Sequence, residues 1–131
     1  MYTWAEHTGE LELHVEAASE EQVFRDAAAA LSELVRSDDR AGEPARREIA
    51  LEAHDPATLL ADWLAELVFL ADARGFVAEH VAALELGDGH LRAVVEGRIG
   101  EPAPLVKAVT YHGLRLDQEG EIWRACVVLD V

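Results

Sequence analysis

The chain is 131 residues long, 50% of them hydrophobic, and its formal net charge is −15 at pH 7. This length and apolar content exclude a disordered chain and predict one domain, residues 1–131, that buries its own core without disulfides or metals. Only one of the 11 basic residues is a lysine, Lys107, and the arginines are scattered. Because nucleic acid is normally bound by clustered Lys and Arg, we expect no direct, stable binding of RNA or DNA. The charge favours a cation or a basic protein as the partner, although it also simply promotes solubility.

Three features of the sequence bear on the protein's location. No apolar run approaches the roughly 18 residues needed to cross a membrane. Residues 1–7 lack the basic region and apolar core of a secretory signal. Cys126 is the single cysteine, so it cannot form an internal disulfide, and its place in an apolar strand suits a small buried side chain. We therefore expect no membrane association and a reducing cytoplasm.

Two strands and a helix are predicted in the first third of the chain. Residues 2–6 are short and contain aromatic side chains, and residues 10–16 alternate apolar with polar side chains, as strands do. Ser19, followed three residues later by Gln22, is typical of a helix start, and apolar residues then recur on one helical face. Residues 36–46 contain Asp, Gly and Pro and are predicted to form a loop.

The rest of the chain predicts one more helix and five strands. Asp55 and Pro56 are typical of a helix start and Gly75 of a helix end. The apolar residues between them exceed one stripe, so this helix should be the most buried. Gly87-Asp-Gly89 predicts a hairpin loop, and residues 117–120 predict a second turn. The alternating segments predict strands at about 47–53, 77–86, 90–99, 106–116 and 122–130.

The predicted order of elements is β-β-α-β-α-β-β-β-β. Strand pairs flank the two helices, which favours an α+β domain with an antiparallel or mixed sheet and both helices packed on one face. The sequence carries no phosphate-binding loop, nucleophile elbow or zinc-ligand spacing, and its six histidines are scattered. These absences argue against a nucleotide enzyme and against zinc catalysis.

The most informative segment is the last strand, which alternates as far as Asp130 and Val131. A carboxylate side chain is followed directly by the free carboxylate of the chain end. Hard divalent cations prefer such oxygen clusters, so this end of the strand is a candidate metal site. The alternative is a last strand that ends there by accident.

Two further segments carry candidate functional groups. Asp62 and Glu66 are four residues apart and share one edge of the second helix, which is usually a solvated edge. Lys107 enters the penultimate strand, where it could neutralise a carboxylate cluster or contact a phosphate, or could be an ordinary surface charge.

At four places the sequence resembles the archease family. Glu6-His7-Thr8 is similar to the start of the family's Glu-His-Thr-Ala-Asp motif, and residues 60–72 resemble its Leu-Leu-x-x-Trp-Leu-x-Glu-Leu-Leu-x-x-x-Asp helix. The segment Val106-Lys-Ala-Val-Thr-Tyr-His112 and the ending Val127-Val-Leu-Asp-Val131 match two further family blocks. The four blocks span essentially the whole chain.

The resemblance implies an accessory protein rather than an enzyme. Archeases activate the RNA-splicing ligase of tRNA splicing by promoting guanylylation of a histidine on it, which allows multiple turnover. The family's metal ligands fall by position on Glu10, Asp130 and Val131, which would take Ca²⁺, Mg²⁺ or Mn²⁺. Lys107 falls on the family's motif lysine and is a candidate for helping to activate the ligase.

One departure affects the implied metal site. This chain has Gly9 and Glu10 where the family motif has Ala-Asp. Glutamate is still a hard oxygen ligand but is longer by one methylene, and the backbone freedom of Gly9 could absorb the change. Two alternatives stay open: a standalone metal-dependent hydrolase that uses the same carboxylates, and a chaperone-like interaction module without a metal role.

Overall fold

The computed structural model describes residues 1–36, 42–103 and 105–131. The order of elements is the predicted one. The elements are β1 (Tyr2–His7), β2 (Glu10–Ala17), α1 (Glu20–Val35), β3 (Glu43–Glu52), α2 (Pro56–Arg74), β4 (Phe76–Gly87), β5 (His90–Ile99), β6 (Ala108–Glu119) and β7 (Ile122–Asp130). In these residues no helix is both long and apolar enough to cross a membrane.

The strands form two antiparallel sheets, of order β1-β2-β7-β6 and β3-β5-β4. The α+β class, the antiparallel pairing and the two helices confirm the prediction, whereas we expected one sheet. Helix α1 contacts β2 of the first sheet and β4 of the second, and α2 contacts β6 and β4. The helices thus join the two sheets through one hydrophobic core, and the first sheet turns its other face outward.

The helix boundaries follow from the capping residues that the sequence indicated. The Ser19 side chain accepts a hydrogen bond from the Gln22 backbone N–H at the start of α1, and Asp55 accepts one from Thr58 at the start of α2. Gly75 ends α2 in the left-handed conformation, with φ of 66°. The prediction that α2 is the most buried helix is not confirmed, because eight of its 19 residues are buried compared with seven of the 16 in α1.

Two predicted boundaries were wrong by three or more residues, and β6 begins at Ala108 rather than at about residue 106. Strand β3 begins at Glu43 rather than at residue 47, so residues 43–46 belong to a strand and not to the predicted loop, of which 37–41 lie outside the described residues. Pro44 is accommodated because β3 is an edge strand of its sheet. Strand β6 continues to Glu119, since residues 117–119 pair with β7 and only two residues form the turn.

Strand β6 also contains an irregularity that its sequence did not reveal. Its pairing with β7 shifts between Thr110 and Arg115, where β6 has more residues than the strand it faces. Gly113 lies in this bulge with φ of 69°, a conformation that side chains other than glycine's disfavour. The bulge exposes Tyr111 and His112, at the end of the segment that begins with Val106.

Candidate functional site

Three chain segments meet at one end of the first sheet. The turn between β1 and β2 lies against the end of β7, where the Val131 N–H donates to the Gly9 carbonyl at 3.0 Å. On the other side of β7, the Lys107 N–H donates to the Asp130 carbonyl at 2.8 Å. Gly9 has φ of 76°, which allows the tight turn that brings Glu10 back beside β7. We call Glu10, Lys107, Asp130 and Val131 the carboxylate edge.

The predicted carboxylate residues are neighbours at this edge. Glu10 and Asp130 are directly paired in the register of β2 and β7. Directly paired residues place their Cβ atoms about 4.5–5.5 Å apart on one face of a sheet. The Val131 side chain packs against the hydrophobic core, which fixes the residue that carries the predicted third carboxylate. The register therefore brings together the groups that the sequence proposed from opposite ends of the chain.

This set of donors fits a hard divalent cation by its chemistry. Its side-chain donors are carboxylate oxygens, which Ca²⁺, Mg²⁺ and Mn²⁺ prefer. The Glu10 side chain is exposed and the Asp130 side chain is half-buried. The carboxylate edge is therefore open to solvent at Glu10 and partly covered at Asp130. Metal binding by these residues stays a prediction.

Lys107 lies at the same edge, immediately before β6. Its side chain is exposed, while its backbone bond to Asp130 holds its position relative to the carboxylates. The next residue, Ala108, is paired with Asp130 on the side of β7 opposite Glu10. The exposed ammonium group of Lys107 is accessible to a partner at this edge.

The helix segment singled out in the sequence also reaches this sheet. The Tyr111 hydroxyl donates a hydrogen bond to the Asp62 carboxylate on α2, with 2.5 Å between the oxygens. This bond, together with partial burial, raises the pKa of the Tyr111 phenol above its usual value. Asp62 is therefore more than a member of a solvated helix edge. Its carboxylate also joins α2 to the β6 bulge.

A second group of functional side chains was missed in the sequence. Glu12, His14 and Cys126 lie on the outward face of the first sheet, and their potential ligand atoms are within 4.8 Å of one another. Burial raises the pKa of the Cys126 thiol, the nearby Glu12 carboxylate raises it further, and Arg115 opposes the shift. The alternation of β2 placed Glu12 and His14 on one face, but only the register of β2 with β7 brings Cys126 beside them.

Similarity to known proteins establishes the family. The model of the archease protein family matches residues 2–131. The chain belongs to the archease family. The archease of Pyrobaculum neutrophilum is 31% identical over 99% of this chain and 95% of its own length. The archease of Methanosarcina mazei is 30% identical with the same coverage.

Solved structures agree with the archease fold. Protein 1598 of Methanobacterium thermoautotrophicum is 26% identical, with a TM-score of 0.69 over 99% of this chain and 98% of its own. A protein of Thermotoga maritima, described as an archease and possible chaperone, gives a TM-score of 0.70 at 19% identity over 100% of this chain and 98% of its own. The resemblance noted from four sequence blocks is therefore confirmed, and the structure brings three of those blocks to the carboxylate edge and joins the fourth to β6 through Asp62.

Proposed function

We propose that this archease is an accessory protein of an RNA-splicing ligase and that it acts through the carboxylate edge. In this proposal Glu10, Asp130 and the Val131 carboxylate hold a divalent cation, and the protein promotes guanylylation of the ligase's active-site histidine. The observation that carries the proposal is the pairing of Glu10 with Asp130, with Lys107 hydrogen-bonded beside them. These residues come from distant parts of the sequence, yet they share one exposed end of a sheet.

The residues of the edge have two different proposed roles. Glu10 and Asp130 supply negative charge that orients a cation, which when bound would offset charge on phosphate oxygens. Lys107 is exposed and could contact a phosphate or a ligase carboxylate directly. In the supported reaction, the ligase imidazole nitrogen forms a bond to the α-phosphorus of GTP and pyrophosphate leaves. The archease positions groups around that step and undergoes no covalent change.

The charge of the protein supports a basic partner. A net charge of −15 repels RNA and attracts a ligase surface that is itself positive enough to hold RNA. Such attraction speeds the encounter of two proteins and weakens as salt is added. We further propose that the two proteins meet in the cytoplasm, where the free thiol of Cys126 stays reduced.

Multiple-turnover ligation by the cognate ligase tests this proposal. We expect the wild-type protein to stimulate ligation and the Asp130→Asn variant, which keeps the shape but removes the charge, to lose that stimulation. Glu16→Gln is the matched control, because Glu16 lies at the other end of β2, on the same face, and is exposed near Arg124. Equal stimulation by Asp130→Asn and wild type would reject the carboxylate mechanism while keeping the family role.

Covalent GMP on the ligase, measured by mass spectrometry, isolates the guanylylation step. We expect Lys107→Ala to slow its accumulation, and a peptide extension after Val131 to do so as well, because the extension removes the terminal carboxylate. RNA hydrolysis by the archease alone would instead support the metal-dependent hydrolase. Rescue of ligase folding that is unaffected by Asp130→Asn would support the chaperone-like alternative.

A further inference from the structure

We propose that Glu12, His14 and Cys126 form a second metal site, one that takes a transition metal such as Zn²⁺. The three residues lie on the outward face of the first sheet, on β2 and β7. They make up the one group of three or more Asp, Glu, His and Cys donors that converges in residues 1–36, 42–103 and 105–131. This inference does not depend on the proposed role in RNA ligation.

The spacing of the donors is close to that of a bound metal. Their ligand atoms lie within 4.8 Å of one another. Ligands of a tetrahedral zinc ion, at about 2.0–2.3 Å from the metal, are about 3.5 Å apart. The difference is small enough for side-chain rotation to close it, since His14 and Glu12 are only partly buried and can move without displacing the core.

The chemistry of these donors distinguishes them from the carboxylate edge. A thiolate, an imidazole and a carboxylate together favour Zn²⁺ and related transition metals, whereas carboxylates alone favour Ca²⁺ and Mg²⁺. Glu12 follows Glu10 by two residues on the same face of β2, a step of about 6.7 Å along a strand. That step separates the two sites too widely for one ion to occupy both.

The surroundings of the cluster also suit a metal. His7 Nε2 lies 2.6 Å from a Glu12 carboxylate oxygen, so His7 either orients Glu12 or is available as a fourth ligand. The Cys126 side chain is only 7% exposed and forms the buried end of the site. The His14 and Glu12 side chains remain partly accessible to solvent. Arg115 is directly paired with Cys126 and partly opposes the rise in the pKa of the thiol that burial and Glu12 cause, so a bound metal would have to displace the thiol proton.

Titration of the full-length protein with Co²⁺ tests this site, because a cobalt–thiolate bond gives a charge-transfer absorption band in the near ultraviolet. We expect the band to saturate at one equivalent of Co²⁺ and to disappear when Zn²⁺ displaces the cobalt. Cys126→Ser should abolish the band, and His14→Ala should weaken Co²⁺ binding by about tenfold or more. Asp130→Asn, at the carboxylate edge, should leave both the band and the affinity unchanged.

Several outcomes would overturn the proposal. Absence of a thiolate band in the wild-type protein would do so, as would unchanged Co²⁺ affinity in His14→Ala. Loss of the band in Asp130→Asn, with that variant folded, would show that Asp130 takes part in holding the metal at Cys126, and would overturn the assignment of a site separate from the carboxylate edge. Because Cys126 is buried and its replacement could disturb folding, the half-exposed His14 provides the decisive variant.

Discussion

Trp63 joins the two helices, and replacing it with phenylalanine should destabilise the protein by about 2 kcal/mol. Its side chain is fully buried and its indole Nε1–H donates to the Phe24 carbonyl of α1 at 3.0 Å. Losing that hydrogen bond costs about 0.5–1.5 kcal/mol. The Phe24 carbonyl keeps its helical partner in α1, so the substitution does not leave it unsatisfied. The smaller ring leaves unfilled volume, which adds about 1 kcal/mol, well below the roughly 3–5 kcal/mol of truncation to alanine.

Urea unfolding followed by far-ultraviolet circular dichroism measures this loss without relying on tryptophan fluorescence. We expect an unchanged m-value and a lower midpoint, and a melting temperature reduced by about 6–10 °C for a domain of this size. Trp123→Phe is the matched control, since Trp123 is only partly buried at the start of β7. A loss below about 1 kcal/mol for Trp63→Phe, or one no larger than that of the control, would refute the assigned role of the indole in joining the helices.

Two further predictions concern the β6 bulge and the tyrosines. Gly113→Ala should destabilise the protein by about 1 kcal/mol in urea unfolding, because the backbone φ of 69° at Gly113 disfavours a side chain. The expected loss is backbone strain rather than a clash, since the added Cβ would meet only Val128, at 4.0 Å. In an alkaline titration followed by absorbance, both tyrosines should ionise above their usual pKa of about 10. The hydrogen bond to Asp62 raises the pKa of Tyr111, and a hydrogen bond to a glutamate raises the pKa of Tyr2 to about 12. Because the folded state keeps these protons longer than the unfolded state, their stabilisation is complete below about pH 10 and is lost as the pH rises toward 12.

Each of these predictions has its own control. Gly120 has a similar φ of 62° and nothing within 4 Å of an added Cβ, so Gly120→Ala should cost about the same as Gly113→Ala if backbone strain alone is responsible. A much larger loss at Gly113 would show that packing against Val128 contributes. Asp62→Asn should lower the pKa of Tyr111 and leave that of Tyr2 unchanged, and an unchanged Tyr111 titration would contradict the hydrogen bond as the cause.

The sequence predicted the elements whose signals are local. Ser19, Asp55 and Gly75 bounded the helices correctly, because capping depends on residues within one helical turn. The glycine turn before β5 was also correct, since it needs only neighbouring residues. The predictions failed where distant pairing decides the outcome, as at the start of β3, where Pro44 looked like part of a loop and lies in an edge strand.

By itself, therefore, the sequence determined the order of elements, the α+β class, the acidic charge and the resemblance to archeases. Only the tertiary structure decided which strands are partners: it divided them into two sheets and paired Glu10 with Asp130 and His14 with Cys126. The physical reason is that side chains alternate between the two faces of a strand. This alternation shows which side chains share a face but not which other strand lies beside that strand. The choice of partner comes from packing the core against both helices, and that packing assembles the carboxylate edge and the proposed second metal site.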